Sequence, residues 1–147
     1  MPDVPVSAGE LCDRLAILTI KVARIGDRAK RAQARTLFAT LEARWSAADL
    51  PPRDDLPQWS GLLEVNGALW DVEDALRAHE ERQDFGARFV ELARAVYRLN
   101  DQRAELKAAV DRRCGDEGTE PKWYATPNDD PRPPGGVTNE PTSGGTP

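Results

Sequence analysis

From Ser7 to Gly115 the apolar positions recur at three- and four-residue intervals and never alternate, which predicts helix throughout. Ser7 followed by Glu10 fits a capping box, Ser-x-x-Glu. Leu11, Leu15, Leu18, Val22 and Ile25 then form one stripe at spacings of 4, 3, 4 and 3. Gly26-Asp27 breaks that helix, glycine as a stop and aspartate as a fresh cap. A second helix is predicted from Arg28 to about Ala48, with Leu37, Leu41 and Trp45 on its apolar side and Pro51-Pro52 ending it. After a proline-containing loop over 49–58, a third helix should run from near Gln58 to about Arg82. Gly67 within it costs roughly 1 kcal/mol against alanine, which suggests a close helix approach. Asp84 is a suitable cap for a last helix over Phe85–Cys114, and Gly115 its stop. The pattern predicts an all-α fold: an antiparallel bundle of about four helices.

Polar residues interrupt the stripes. In the last helix Phe85, Phe89, Leu92, Val96, Leu99, Arg103, Leu106 and Val110 keep heptad spacing, yet Arg103 stands where a hydrophobe is due. Asn100 and Lys107 share its face, and Tyr97 lies one turn from Asn100. In the third helix Leu63, Asn66, Trp70, Glu73 and Arg77 form a stripe bordered by Asp74. The first places Glu10, Arg14, Ile17, Lys21 and Arg24 beside its aliphatic stripe, with Asp13 adjacent. Unpaired buried charge is prohibitive, so these groups must pair or face water. Two readings follow: an ion-pair network that fixes helix register, or a ligand pocket between helices.

Composition divides the chain. Residues 1–116 make the helical domain; residues 117–147 hold 7 of the 12 prolines and 5 of the 11 glycines and are expected to form a disordered tail. The net charge of -5 shows no basic excess, which speaks against nucleic acid as a partner. The run Arg24, Arg28, Lys30, Arg31, Arg35 has no interleaved aromatics and reads as a solvated face. Two isolated cysteines and one histidine fall short of a zinc ligand set, so no metal site is expected, and no cofactor motif is present. His79, among charged neighbours, is expected in solvent. No apolar run approaches a membrane span and no signal peptide is apparent, so a cytoplasmic protein without membrane contact is expected. Trp45 and Trp59, flanking the proline loop, should close one bundle end.

The stretch Gly9-Glu10-Leu11-Cys12-Asp13-Arg14-Leu15-Ala16-Ile17-Leu18-Thr19-Ile20-Lys21, with Arg24-Ile25, resembles the opening of an uncharacterised bacterial family of short all-helical proteins. The same family shows blocks similar to Val65-Asn66-x-x-Leu69-Trp70-x-x-Glu73-Asp74-x-x-Arg77 and Leu92-Ala93-Arg94-x-Val96-Tyr97-x-x-Asn100-Asp101-x-Arg103-Ala104-x-x-Lys107. The Asn66–Asp74 block also looks like part of a second uncharacterised helical family. Arg14 stands where the family often has lysine, and its closing element corresponds to Glu120-Pro121-Lys122-Trp123-Tyr124 with Pro121 inserted. The resemblance implies an association with glycosyltransferase and surface-polysaccharide functions.

The mix of side chains on the polar stripes leads to the expectation of a small anionic ligand, phosphorylated or carboxylated and sugar-like, held between helices. Arg14, Lys21, Arg24, Arg77, Arg103 and Lys107 would clamp it, Glu10, Asp13, Glu73 and Asp74 would hold those cations or bind sugar hydroxyls, and Trp70 and Tyr97 would stack, with Asn66 and Asn100 also binding. A second expectation is an enzyme using Glu73 or Asp74 as acid and base, with Arg103 and Lys107 as the anion clamp. A third is a protein–protein adaptor whose inward charges are purely structural.

Overall fold

The computed structural model describes residues 4–115. It contains four α-helices, α1 (Ala8–Arg24), α2 (Arg28–Ala47), α3 (Gln58–Arg82) and α4 (Ala87–Cys114), and a single 3-10 turn at Arg53–Asp55 before α3. No strand occurs among the described residues, so the all-α, four-helix expectation holds. The tail expected over 117–147 lies outside the described residues.

Local chemistry sets the helix ends. The Ser7 hydroxyl accepts from the Glu10 amide at 3.1 Å, the capping-box contact read from the sequence. Asp27 caps α2 by accepting from the Lys30 amide at 2.9 Å. Between them, the Ile25 carbonyl takes two bonds from the Arg31 guanidinium, at 3.0 and 2.7 Å. This ties the start of α2 to the end of α1 and gives one cation of the basic run a structural role.

α1 is the central element, packing against α2, α3 and α4, while α2 rests chiefly on α1. Leu15, Leu62 and Val110 are fully buried and meet in one core with Cys12, Ala16 and Trp45. Burying each such aliphatic side chain is worth roughly 1.5–3 kcal/mol, so this cluster supplies the main driving force. At its N-terminal end α1 presents Gly9 to α4. A Cβ on Gly9 would overlap the Lys107 carbonyl, so the two backbones approach as closely as a glycine allows.

The aromatic end closes as expected. Trp45 is 4% exposed and its indole N–H donates to the Pro51 carbonyl at 2.9 Å. Arg53 lies between the Phe38 and Trp59 rings, 5.2 and 4.5 Å from their centroids, and pairs with Glu42 at 2.7 Å.

Two expectations at the other end are corrected. α4 begins at Ala87 with Gly86 as its cap, two residues later than the apolar pattern suggested. Asp84 instead folds its carboxylate onto the Gly86 amide at 3.2 Å, making a local turn, and Gln83 takes a left-handed conformation at φ 53°. His79 is not solvated. It is 9% exposed, its Nδ1 lies 3.0 Å from the Asp84 carbonyl, and the Phe89 ring packs beside it. The tight turn brings the first turn of α4 back over the end of α3, which charge density along the sequence does not reveal.

Candidate functional site: a polar seam between α1 and α4

Antiparallel packing of α1 on α4 sets the polar residues of both helices opposite one another in three successive rungs. At the first, the Gly9 amide donates to Asp111 Oδ1 at 2.6 Å. At the second, Glu10 pairs with Lys107 and also accepts from Arg14 Nε at 3.1 Å. At the third, Asp13 meets Arg103. On α4, Arg103, Lys107 and Asp111 stay on one face at steps of four; on α1, Glu10 and Asp13 are three apart, and Gly9 joins the seam through its backbone amide.

The third rung is the most enclosed. Asp13 is completely buried. Arg103 Nε lies 3.0 Å from both carboxylate oxygens and Nη2 lies 2.8 Å from Oδ2. Asn66, reaching across from α3, donates its amide to Oδ1 at 2.8 Å. Both oxygens of Asp13 are thus occupied by protein donors, and three helices are joined at one carboxylate. Such fork-shaped contacts are the stronger kind of ion pair. The guanidinium keeps 28% of its side-chain surface, and Nη1 lies 3.4 Å from the exposed Asn100 Oδ1. Arg103 therefore spans the wall of the bundle, its working edge inside and its outer edge at the surface.

Electrostatics follow the same gradient. For Glu10, burial pushes the carboxyl upward, but its contacts with Lys107 and Arg14 outweigh that, and it titrates below the usual carboxylate value. Cys12, one residue from Asp13, is pushed up to about 12, mainly by burial, with Arg53 opposing and Asp13 and Cys114 reinforcing the rise. Its thiol is a packing group.

The remaining sequence-predicted residues lie elsewhere. Arg24 reaches α3 and pairs with Asp71 near the far end of α1. Lys21 is half-buried and makes no ion pair among the described residues. Trp70 is half-buried. Glu73, Asp74 and Arg77 are all exposed, with Asp74 and Arg77 paired to each other at 3.4 Å. Tyr97 is 51% exposed, with the Arg94 Nε 3.5 Å from its hydroxyl and the Arg98 guanidinium 5.9 Å from its ring centre. The structure thus gathers Glu10, Asp13, Arg14, Asn66, Asn100, Arg103 and Lys107 along one seam. It does not bring Glu73, Asp74, Arg77 or Tyr97 into contact with that seam.

Sequence reasoning missed Asp111, Asp71 and Arg53. Asp111 was findable, since it continues the Arg103–Lys107 stripe by four residues. Asp71 and Arg53 depend on tertiary placement. The seam's chemistry is that of a clamp: no carboxylate in it is both unpaired and buried, the condition under which an acid or base would be tuned for proton transfer.

No protein-family model matches the sequence, and neither a curated protein nor a solved structure matches it.

Proposed function

We propose that this chain is a non-catalytic helical interaction module. The inward charges hold its helices in register, and its outer faces engage a partner. The observation that carries the proposal is the saturation of Asp13: a fully buried carboxylate with both oxygens taken by Arg103 and Asn66 has no free site for a substrate. Leu37, Val90 and Tyr97, each about half exposed, supply apolar contact on the outer faces of α2 and α4. Crosslinking in the native cell tests the reading. Leu37→Glu, Val90→Glu and Tyr97→Glu abolish the crosslinked product while leaving the melting temperature unchanged. Turnover of a metabolite that disappears in Glu73→Gln or Asp74→Asn would establish the enzyme instead.

A second reading is supported by the seam's outer edge. Half-exposed Arg14 and Lys21, which has no ion pair among the described residues, lie seven residues apart on one face of α1, and Arg103 and Asn100 reach the surface on α4. We propose that this edge receives an anionic, sugar-type ligand, phosphorylated or carboxylated, in keeping with the resemblance carried by residues 9–25, 65–77 and 92–107. Thermal shift with inorganic phosphate and with simple sugar phosphates tests it. A rise lost in Lys21→Ala supports the site, and no rise at millimolar ligand removes it.

A further inference from the structure

An open groove of about 550 Å³ runs between α3 and α4. Gly61, Glu64 and Ala68 form one wall and Leu99, Gln102 and Leu106 the other. It occupies a different face of α4 from the seam, because Arg103, Lys107 and Asp111 turn toward α1.

Along this face Leu99 and Leu106 of the apolar stripe are joined by Ala95, Gln102 and Ala109, at overall spacings of 4, 3, 4 and 3. That is the period of a helix-pairing seam. One side of the stripe is edged by Glu91, Arg98, Glu105 and Arg112, spaced every seven residues and alternating in sign. All four are exposed. Among the described residues Arg98, Glu105 and Arg112, with Glu64 across the groove, make no ion pair, and Glu91 has only an exposed partner, Arg88.

The alternation is self-complementary. When a second α4 runs antiparallel about a two-fold axis between residues 101 and 102, Arg98 falls opposite the other copy's Glu105 and Glu91 opposite its Arg112. Equivalent edge positions face each other in antiparallel helix pairs, so one axis satisfies all four charges on each chain. A parallel pairing has no such match along this edge. The small residues Ala68 and Ala109 of the groove leave room for the other copy's leucines, while Gly61 is met by Leu106 of its own chain. We infer that the α3–α4 groove is the interface of a homodimer, with a second copy of this chain as its occupant.

Sedimentation velocity of the full chain over a concentration series tests the inference. The expected result is a monomer–dimer equilibrium shifting toward monomer at high salt. Arg98→Glu alone and Glu105→Arg alone each set like charges opposite one another twice per dimer, and each weakens association by at least about tenfold. The double variant Arg98→Glu/Glu105→Arg restores wild-type association, with circular dichroism confirming that all three remain helical. A wild-type chain monomeric at hundreds of micromolar overturns the inference. So does a dimer indifferent to the single changes, or one that the double variant fails to rescue.

Discussion

Asp13 and Arg103 lie 90 positions apart in sequence and meet through a guanidinium fork, Nε 3.0 Å and Nη2 2.8 Å from the same carboxylate oxygen. That contact joins the first helix to the last, and Asn66 adds the third. Ionic groups at single core positions can select register, and here every alternative α1–α4 register would leave a buried charge without its partner.

Gly9 sets how close those helices come. Gly9→Ala should destabilise the fold by about 1–3 kcal/mol, because the added methyl group overlaps the Lys107 carbonyl and crowds the Asp111 carboxylate. Urea denaturation checks this. Unchanged stability would mean that α1 and α4 can separate without loss, leaving the three-rung seam without its geometric basis.

Glu10 gives the seam a pH dependence of definite sign. Its folded-state pKa lies below the unfolded value near 4.5, so its contribution to stability is present above that value and is lost as pH falls through the folded one. The difference in urea midpoint between wild type and Glu10→Gln should be constant above about pH 5 and close on further acidification. A difference that persists undiminished into strong acid would contradict the assignment.

Cys12 should behave as an inert thiol. With its pKa pushed up to about 12 and its surface fully buried, only roughly one molecule in ten thousand carries a thiolate at pH 8. Mass spectrometry of alkylated protein should find Cys12 unmodified under native conditions and modified at an ordinary rate in denaturant. Prompt native modification would show that the core opens.

Glu73, Asp74 and Arg77 should contribute little to stability. All three are exposed, and the Asp74–Arg77 pair is a surface contact. Alanine at each should shift stability by no more than about 0.5 kcal/mol. A larger loss would mean that these residues hold structure through contacts made in solution.

Much of this architecture was legible in the sequence. Ser7, Asp27 and Gly115 mark helix ends through local chemistry, and the apolar spacing identifies four helices. The polar interruptions at Asp13, Asn66 and Arg103 were visible as misfits, although whether they would meet each other or enclose a ligand depended on helix rotation. The α3–α4 turn was less legible. The sequence around His79 is dense in charge, and only the left-handed Gln83 and the Asp84 turn explain why the ring is covered. Glu73 and Arg77 lay on the same ideal stripe as Asn66, yet are exposed where Asn66 is buried. Sequence spacing could not tell which part of α3 the shorter α1 covers.

A double-mutant cycle on Asp13 and Arg103 decides whether this pair holds the bundle in register. Arg103→Met leaves a buried carboxylate without its cation and should cost about 3–5 kcal/mol, and Asp13→Leu should cost a similar amount. The double variant Asp13→Leu/Arg103→Met removes both charges and should recover most of the loss, giving strong coupling between the two sites. Arg103→Met with unchanged or increased stability, or two losses that simply add, would contradict the reading of this pair as the clamp that registers the bundle.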